Sequence, residues 1–365
     1  MDKKTRFASL QGLRGIAAAT VVVSHALGIF YISGADIGTI LENIQAVSHL
    51  SGILAAKAVW IFFVLSGFVL THQLESRSSS AVRFVGARLI RLYLPVWFAI
   101  ALNLGIIALI NSSGRDIGFW IGEYPSLINP MRIIEELLLL PEGYFLGPLW
   151  SLKWEVAFSV LVVLFWKVDL LKRFPLATIL GSLSVATYGE LIQNGWLKYL
   201  PMFVIGMALH TMILGRWKSD ISGRIEILVL LVTLSLPTIS YLITSETLLG
   251  VEYRYVLDVP ASLVAISILF VAIIRGKFLR KLLEIKPLQN LGDYSYSLYL
   301  FHLPLISFSF YFSDASVTWV LLAFVLTFPI AYLCYRLIEV PSHNLSRKIR
   351  GSGDPSLKSP SEIPA

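Results

Sequence analysis

The sequence predicts an all-α polytopic membrane protein of about ten transmembrane helices with both termini in the cytoplasm. Three observations carry this. The 365-residue chain is 56% hydrophobic and only 15% charged, with mean hydropathy +0.73, too apolar for a soluble domain of that length. Apolar windows of roughly 18 to 22 residues, each long enough to cross a bilayer, recur at 10–31, 53–73, 92–111, 147–166, 174–193, 197–214, 225–243, 256–275, 294–312 and 317–338. Lys and Arg crowd the segments on one side of these windows, and that excess marks the cytoplasmic side.

The cations run as follows. Lys3, Lys4 and Arg6 precede the first window, and Arg77, Arg83, Arg88 and Arg91 separate the second from the third. Arg275, Lys277, Arg280, Lys281 and Lys286 separate the eighth from the ninth, and Arg336, Arg347, Lys348 and Arg350 close the last. The opposite loops hold only Lys57, Arg115, Arg132, Lys198 and Arg254. Topology therefore accounts for the net charge of +7 without a nucleic-acid partner. The leading MDKKTRF lacks a cleavage pattern and the first window carries Arg14, so this segment is expected to stay as the first helix.

In that first window Arg14 and His25 are eleven residues apart. On a helix this spacing is three turns plus roughly 20°, which puts both side chains on one face, about 16 Å apart along the axis. Ionisable groups at such depth are costly and usually line a site or a polar pathway. Arg14, about one turn inside the boundary, either snorkels or joins the pathway. His25 lies deeper and is either a hydrogen-bonded structural group or a base that takes a proton from a hydroxyl near neutral pH.

The second window contains FFVLSGFVL, where Ser66 and Gly67 allow close helix approach or offer a contact to substrate. At the cytoplasmic entrance of the third, RFVGARLIRLYLP places Arg88 and Arg91 at i, i+3 on one face. Such arginines either fork onto phosphates or serve topology alone. The longest outer loop, 112–146, carries Trp120, Tyr124 and Tyr144 and is expected to cover the outer side of a cavity. In the fourth window, Glu155 sits at a depth similar to that of His25 and needs a partner. Lys153 points elsewhere, so His25 is a candidate, and a His–Glu pair would orient and polarise the imidazole. A structural ion pair between helices is the alternative.

The run 174–214, broken only by Gln193, Asn194 and Gly195, is read as two spans or as one long re-entrant element. The windows at 225–243 and 256–275 follow as further spans. In GDYSYSLYLFHLP, Ser295, Tyr299 and His302 at i, i+4, i+7 form a polar stripe expected to face the interior. His302 either binds substrate or holds packing. His49, His72, His210 and His343 lie near loop ends and are not expected to carry a role. The lone Cys334 excludes an internal disulfide and a thiolate cluster, and no metal-ligand spacing, Walker loop or nucleophile elbow occurs, so no metal and no bound cofactor is expected. Residues 1–350 are expected to form one membrane-embedded domain. The Pro-, Ser- and Gly-rich tail, 351–365, is expected to be disordered in the cytoplasm, with no further domain appended.

With these stretches assembled, the chain resembles the acyltransferase type 3 family of membrane O-acyltransferases. LQGLRGIAAATVVVSH, FFVLSGFVL, RLIRLYLP, LWSLKWEVAFS, YSYSLYLFH and YRLIEVPSHNLSRKI occur in the family's order from residue 10 to about 350. Pro95 falls one residue later than the family pattern. The resemblance implies transfer of an acyl group, commonly acetyl, from cytosolic acyl-CoA as co-substrate to a hydroxyl of a carbohydrate or glycolipid, at the inner membrane. It implies that His25 and Glu155 are catalytic and that Arg14, Arg88 and Arg91 bind the donor. Ser66, Ser295, Tyr299 and His302 are then possible substrate or oxyanion contacts. Direct transfer and an acyl-enzyme relay both fit. The alternative from another class is a proton-coupled transporter in which His25, Glu155 and His302 relay protons; it predicts an internal repeat, and the motifs of the first five windows do not recur in the last five.

Overall fold

A computed structural model describes residues 3–32, 40–75, 80–113, 130–140, 146–216, 220–243, 254–313 and 316–350. Every regular element among the described residues is helical. In chain order these are α1 (Lys3–Ile32), α2 (Ile40–Glu75), α3 (Ala81–Ser112), α4 (Pro130–Leu137), α5 (Leu149–Lys167), α6 (Asp169–Arg173), α7 (Pro175–Leu191) and α8 (Gly195–His210). A π turn, Thr211–Arg216, extends α8. Then come α9 (Gly223–Ile243), α10 (Arg254–Arg275), α11 (Phe278–Leu283), α12 (Lys286–Asp293), α13 (Ser295–Phe312) and α14 (Val317–Cys334), which runs through a second π turn, Tyr335–Glu339, into α15 (Val340–Arg350). Trp120, Tyr124, Tyr144, the His49 side chain and the tail lie outside what is described.

Seven helices among the described residues are long and apolar enough to cross a membrane: Ala8–Ile29, Gly52–Glu75, Ala81–Ser112, Leu149–Lys167, Gly195–Gly215, Leu257–Arg275 and Thr318–Arg350. The other three windows also fold as helices, α7, α9 and α13. The run 174–214 is a helical hairpin: Gln193 takes a left-handed backbone (φ 53°), and the Asn194 side chain accepts from the Leu197 amide (3.1 Å) to cap α8. Pro95 lies inside α3, not at its start. The Ser80 side chain caps that helix at Arg83 (3.4 Å), well before the apolar window begins. A missing N–H is tolerated there because neighbouring helices and side chains re-satisfy the freed carbonyl.

The core is built by close helix crossings. A Cβ on Gly67 would collide with the Phe203 carbonyl, and one on Gly206 with the Val64 carbonyl, so α2 and α8 touch backbone to backbone. Buried Phe63, Phe203 and Phe158 fill the space beside this crossing, with the Phe203 ring centroid 4.8 Å from that of Phe63 and 4.3 Å from that of Phe158. On the other side α1 packs on α2, α12 and α13, and α3 packs on α13 and α15. Lys57 and Lys198, read above as outer-loop cations, are instead helical and paired. Lys57 binds Asp258 of α10 and sits over the Trp60 ring (3.8 Å), while Lys198 binds Glu190 across the hairpin. The free Cys334 is half-buried.

Candidate active site

A cavity of about 410 Å³ lies among α1, α2, α3, α5, α13 and the π turn leading into α15. Leu10, Gln11, Gln73, Asp293 and His343 line it where helix ends converge; Phe62, Ser151 and Tyr299 line it deeper along the helices. Arg14, Ser66, Arg88, Arg91, Glu155 and Ser295 face the same space as Tyr299, so seven of the nine predicted site residues are brought together. His25 and His302 form a separate pair.

The two arginines of α3 differ in surroundings. Because α3 begins at Ala81, Arg88 sits about two turns inside the helix and is buried. Its guanidinium pairs with Glu155, and it donates to Ser159 Oγ (2.6 Å) and to Ser66 Oγ (2.8 Å). Ser66 in turn donates to Glu155 Oε1 (2.6 Å). Glu155 is therefore held by Arg88 and Ser66, and the pairing of Glu155 with His25 does not form. Sequence gives depth along a helix but not which neighbour faces it.

Arg91 and Arg14 are half-buried on the cavity wall, and neither makes a direct ion pair among the described residues. Close by, Glu339 is fully buried on the π turn. It accepts from the Ser297 amide (3.2 Å) and hydroxyl (2.7 Å), and its other oxygen faces His343 Nε2 at 3.4 Å. Asp293, at the end of α12, accepts from Gln11 Nε2 (3.0 Å). Burial raises its carboxyl above the ordinary value, while the Gln11 bond and the Arg14 charge pull it back. This end of the cavity thus combines two guanidinium groups that lack a direct ion pair among the described residues with nearby carboxylates and polar side chains.

The hydroxyls at the deeper end are already engaged. Tyr299 Oη lies 3.0 Å from the Pro148 carbonyl and 2.8 Å from Ser151 Oγ. Ser295 donates to the Gly292 carbonyl (2.8 Å), and Ser66 to Glu155 as above. Beyond the Tyr299 ring, whose centroid is 6.1 Å from that of His302, His25 Nδ1 meets His302 Nε2 at 2.8 Å. His302 is fully buried. The stripe of Ser295, Tyr299 and His302 faces inward throughout, as its spacing requires.

Tyr296, Tyr335, Asp293 and His343 also line the cavity and were not expected as site residues. A signal for three interior groups was present: Tyr335, Glu339 and His343 recur every four residues in YRLIEVPSH, the same kind of stripe that marked α13.

The bundle is that of a multi-pass membrane protein with an arginine-lined cavity and a histidine pair beyond it. The family described as "Acyltransferase domain" matches residues 7–336, and the chain belongs to that family. It is 27% identical over 374 residues to O-acetyltransferase OatA of Staphylococcus aureus (strain NCTC 8325 / PS 47), covering 91% of this chain and 56% of that protein. It is 25% identical over 321 residues to acyltransferase MdmB of Streptomyces mycarofaciens, covering 83% of this chain and 80% of that one. The chain thus spans about half the length of the staphylococcal relative. No solved structure matches significantly.

Proposed function

We propose that this protein is an integral membrane O-acyltransferase that moves an acyl group, most simply acetyl, from cytosolic acyl-CoA to a hydroxyl of a carbohydrate or glycolipid. The observation that carries this reading is the cavity where Arg14 and Arg91 stand without a direct ion-pair partner among the described residues, in a chain of the acyltransferase family. In this scheme ten helices cross the inner membrane, both termini are cytoplasmic, and residues 1–350 form one embedded unit followed by a cytoplasmic tail. Arg14 and Arg91 then hold the phosphates of CoA, while Arg88 is occupied with Glu155 and fixes it. His25 takes the proton of the acceptor hydroxyl as its oxygen attacks the thioester carbonyl. The name of the staphylococcal relative, an O-acetyltransferase, supports acetyl as the group and oxygen as the acceptor atom; the carbohydrate acceptor follows from the family resemblance. Family membership does not favour the proton-coupled transporter.

The test is release of free CoA thiol from acetyl-CoA by the purified protein in nanodiscs with envelope glycan supplied. The expected result is turnover that His25→Ala lowers by about 10² to 10⁴. Arg14→Ala/Arg91→Ala should raise the KM for acetyl-CoA at least tenfold, the loss of two charge-assisted phosphate contacts. An absence of both binding and turnover would remove the donor assignment.

A further inference from the structure

His302 was read above as a substrate contact or a packing group. Its geometry gives it a narrower role. The His25 and His302 ring planes are 7° apart, their centroids are 5.0 Å apart, and the facing nitrogens are 2.8 Å apart. Each ring nitrogen lies roughly 1.1 Å from its own centroid, so the two centroids and two nitrogens fall almost on one line. The rings meet edge to edge in a common plane, and a proton on one nitrogen points straight at the lone pair of the other.

The direction of that bond is fixed one residue away. His302 Nδ1 lies 3.1 Å from the Leu298 carbonyl. A carbonyl only accepts, so Nδ1 carries the proton. In a neutral ring Nε2 is then bare, and it must accept from His25 Nδ1–H. His302 is fully buried, and no carboxylate among the described residues pairs with it, so a resident cation there would be uncompensated. With its Nδ1 proton committed, neutral His25 presents a bare Nε2.

Resting on the acyltransferase reading above, we infer that His302 is a positioning residue: it fixes the tautomer and ring plane of His25, so that His25 Nε2 is the nitrogen that acts as base. The hydroxyl proton passes to Nε2 as the acceptor oxygen bonds to the thioester carbon. The tetrahedral adduct then loses the C–S bond, and Nε2 returns the proton to the departing CoA thiolate. His302 exchanges no atom with substrate; it holds the imidazolium through the Nδ1–H bond while the charge lasts.

Two readouts test this. Isotope-labelled histidine NMR of the protein in nanodiscs, with the His25 signal identified by its loss in His25→Gln, separates protonated from bare ring nitrogens. The expected result is a protonated Nδ1 and a bare Nε2 on His25, lost in His302→Asn, whose shorter amide still reaches the Leu298 carbonyl but not His25. A protonated Nε2 on His25 in the wild type would overturn the inference. In turnover, His302→Asn should lower kcat by about a hundredfold with the KM for acyl-CoA unchanged. His302→Gln puts an accepting oxygen where Nε2 was and should recover most of that loss. Equal kcat losses in both variants, or a loss carried by KM, would also overturn it. If the wild type does not turn over acyl-CoA at all, the functional reading falls, while the NMR result still decides the hydrogen-bond chain.

Discussion

The Arg88–Glu155 pair offers the sharpest check on how this interior is held together. Its side chains are only 10% and 15% exposed, and it ties α3 to α5 beside the cavity. Removing one partner of a buried pair leaves an uncompensated charge and costs roughly 3–5 kcal/mol. Ser159 and Ser66 still accept from Arg88 when Glu155 is changed to Gln, and the pair borders a cavity, so the lower end, about 3 kcal/mol, applies to Glu155→Gln. Arg88→Met strands the carboxylate with Ser66 as its one remaining donor in this cluster and should cost at least as much. The double variant leaves no charge behind, so its loss should lie near that of one single variant, giving a coupling of about 2–3 kcal/mol. The assay is unfolding free energy from mixed-micelle denaturant titrations followed by tryptophan fluorescence, with acyl-CoA turnover measured in parallel. Losses that add to within about 0.5 kcal/mol would refute the pairing argument. A double variant that is stable and fully active would remove Glu155 from the chemistry.

Three further outcomes are expected. Gly67→Ala should separate α2 from α8 and lower stability by about 1–3 kcal/mol, read as a fall in the thermal midpoint. Gly105→Ala on α3, where a Cβ meets nothing within 4 Å, should be neutral or stabilising by up to about 1 kcal/mol. Lys57→Met removes the cation that binds buried Asp258 and should lower stability by up to about 3–5 kcal/mol; adding Asp258→Leu should recover most of it, and a double variant as unstable as the single would count against the pair.

The helical class was legible because a bilayer forces long apolar runs, and all ten predicted windows carry helix. The inward stripe on α13 was legible for the same reason: Ser295, Tyr299 and His302 cannot be spread around a helix at that spacing. Rotation and neighbours were not legible. The apolar window of α3 starts at 92, after the arginines, so Arg88 read as a boundary residue; Ser80 starts the helix twelve residues earlier and carries Arg88 into the bundle. Glu155 was assigned to His25 because both lie at similar depth, but the helices turn them toward Arg88 and His302. Lys57 and Lys198 counted as loop cations because their partners, Asp258 and Glu190, are distant or were unremarked in sequence.

Phe62 and Tyr299, with ring centroids 6.2 Å apart, stand between the arginine-lined cavity and the histidine pair. On the proposed reading, the CoA phosphates rest among the arginines and the thioester meets His25 only past this aromatic layer. Wasteful hydrolysis is then governed by how often this aromatic layer parts, not by how long the donor stays bound. A protein so arranged can keep its acyl-CoA loaded through long intervals in which no acceptor arrives.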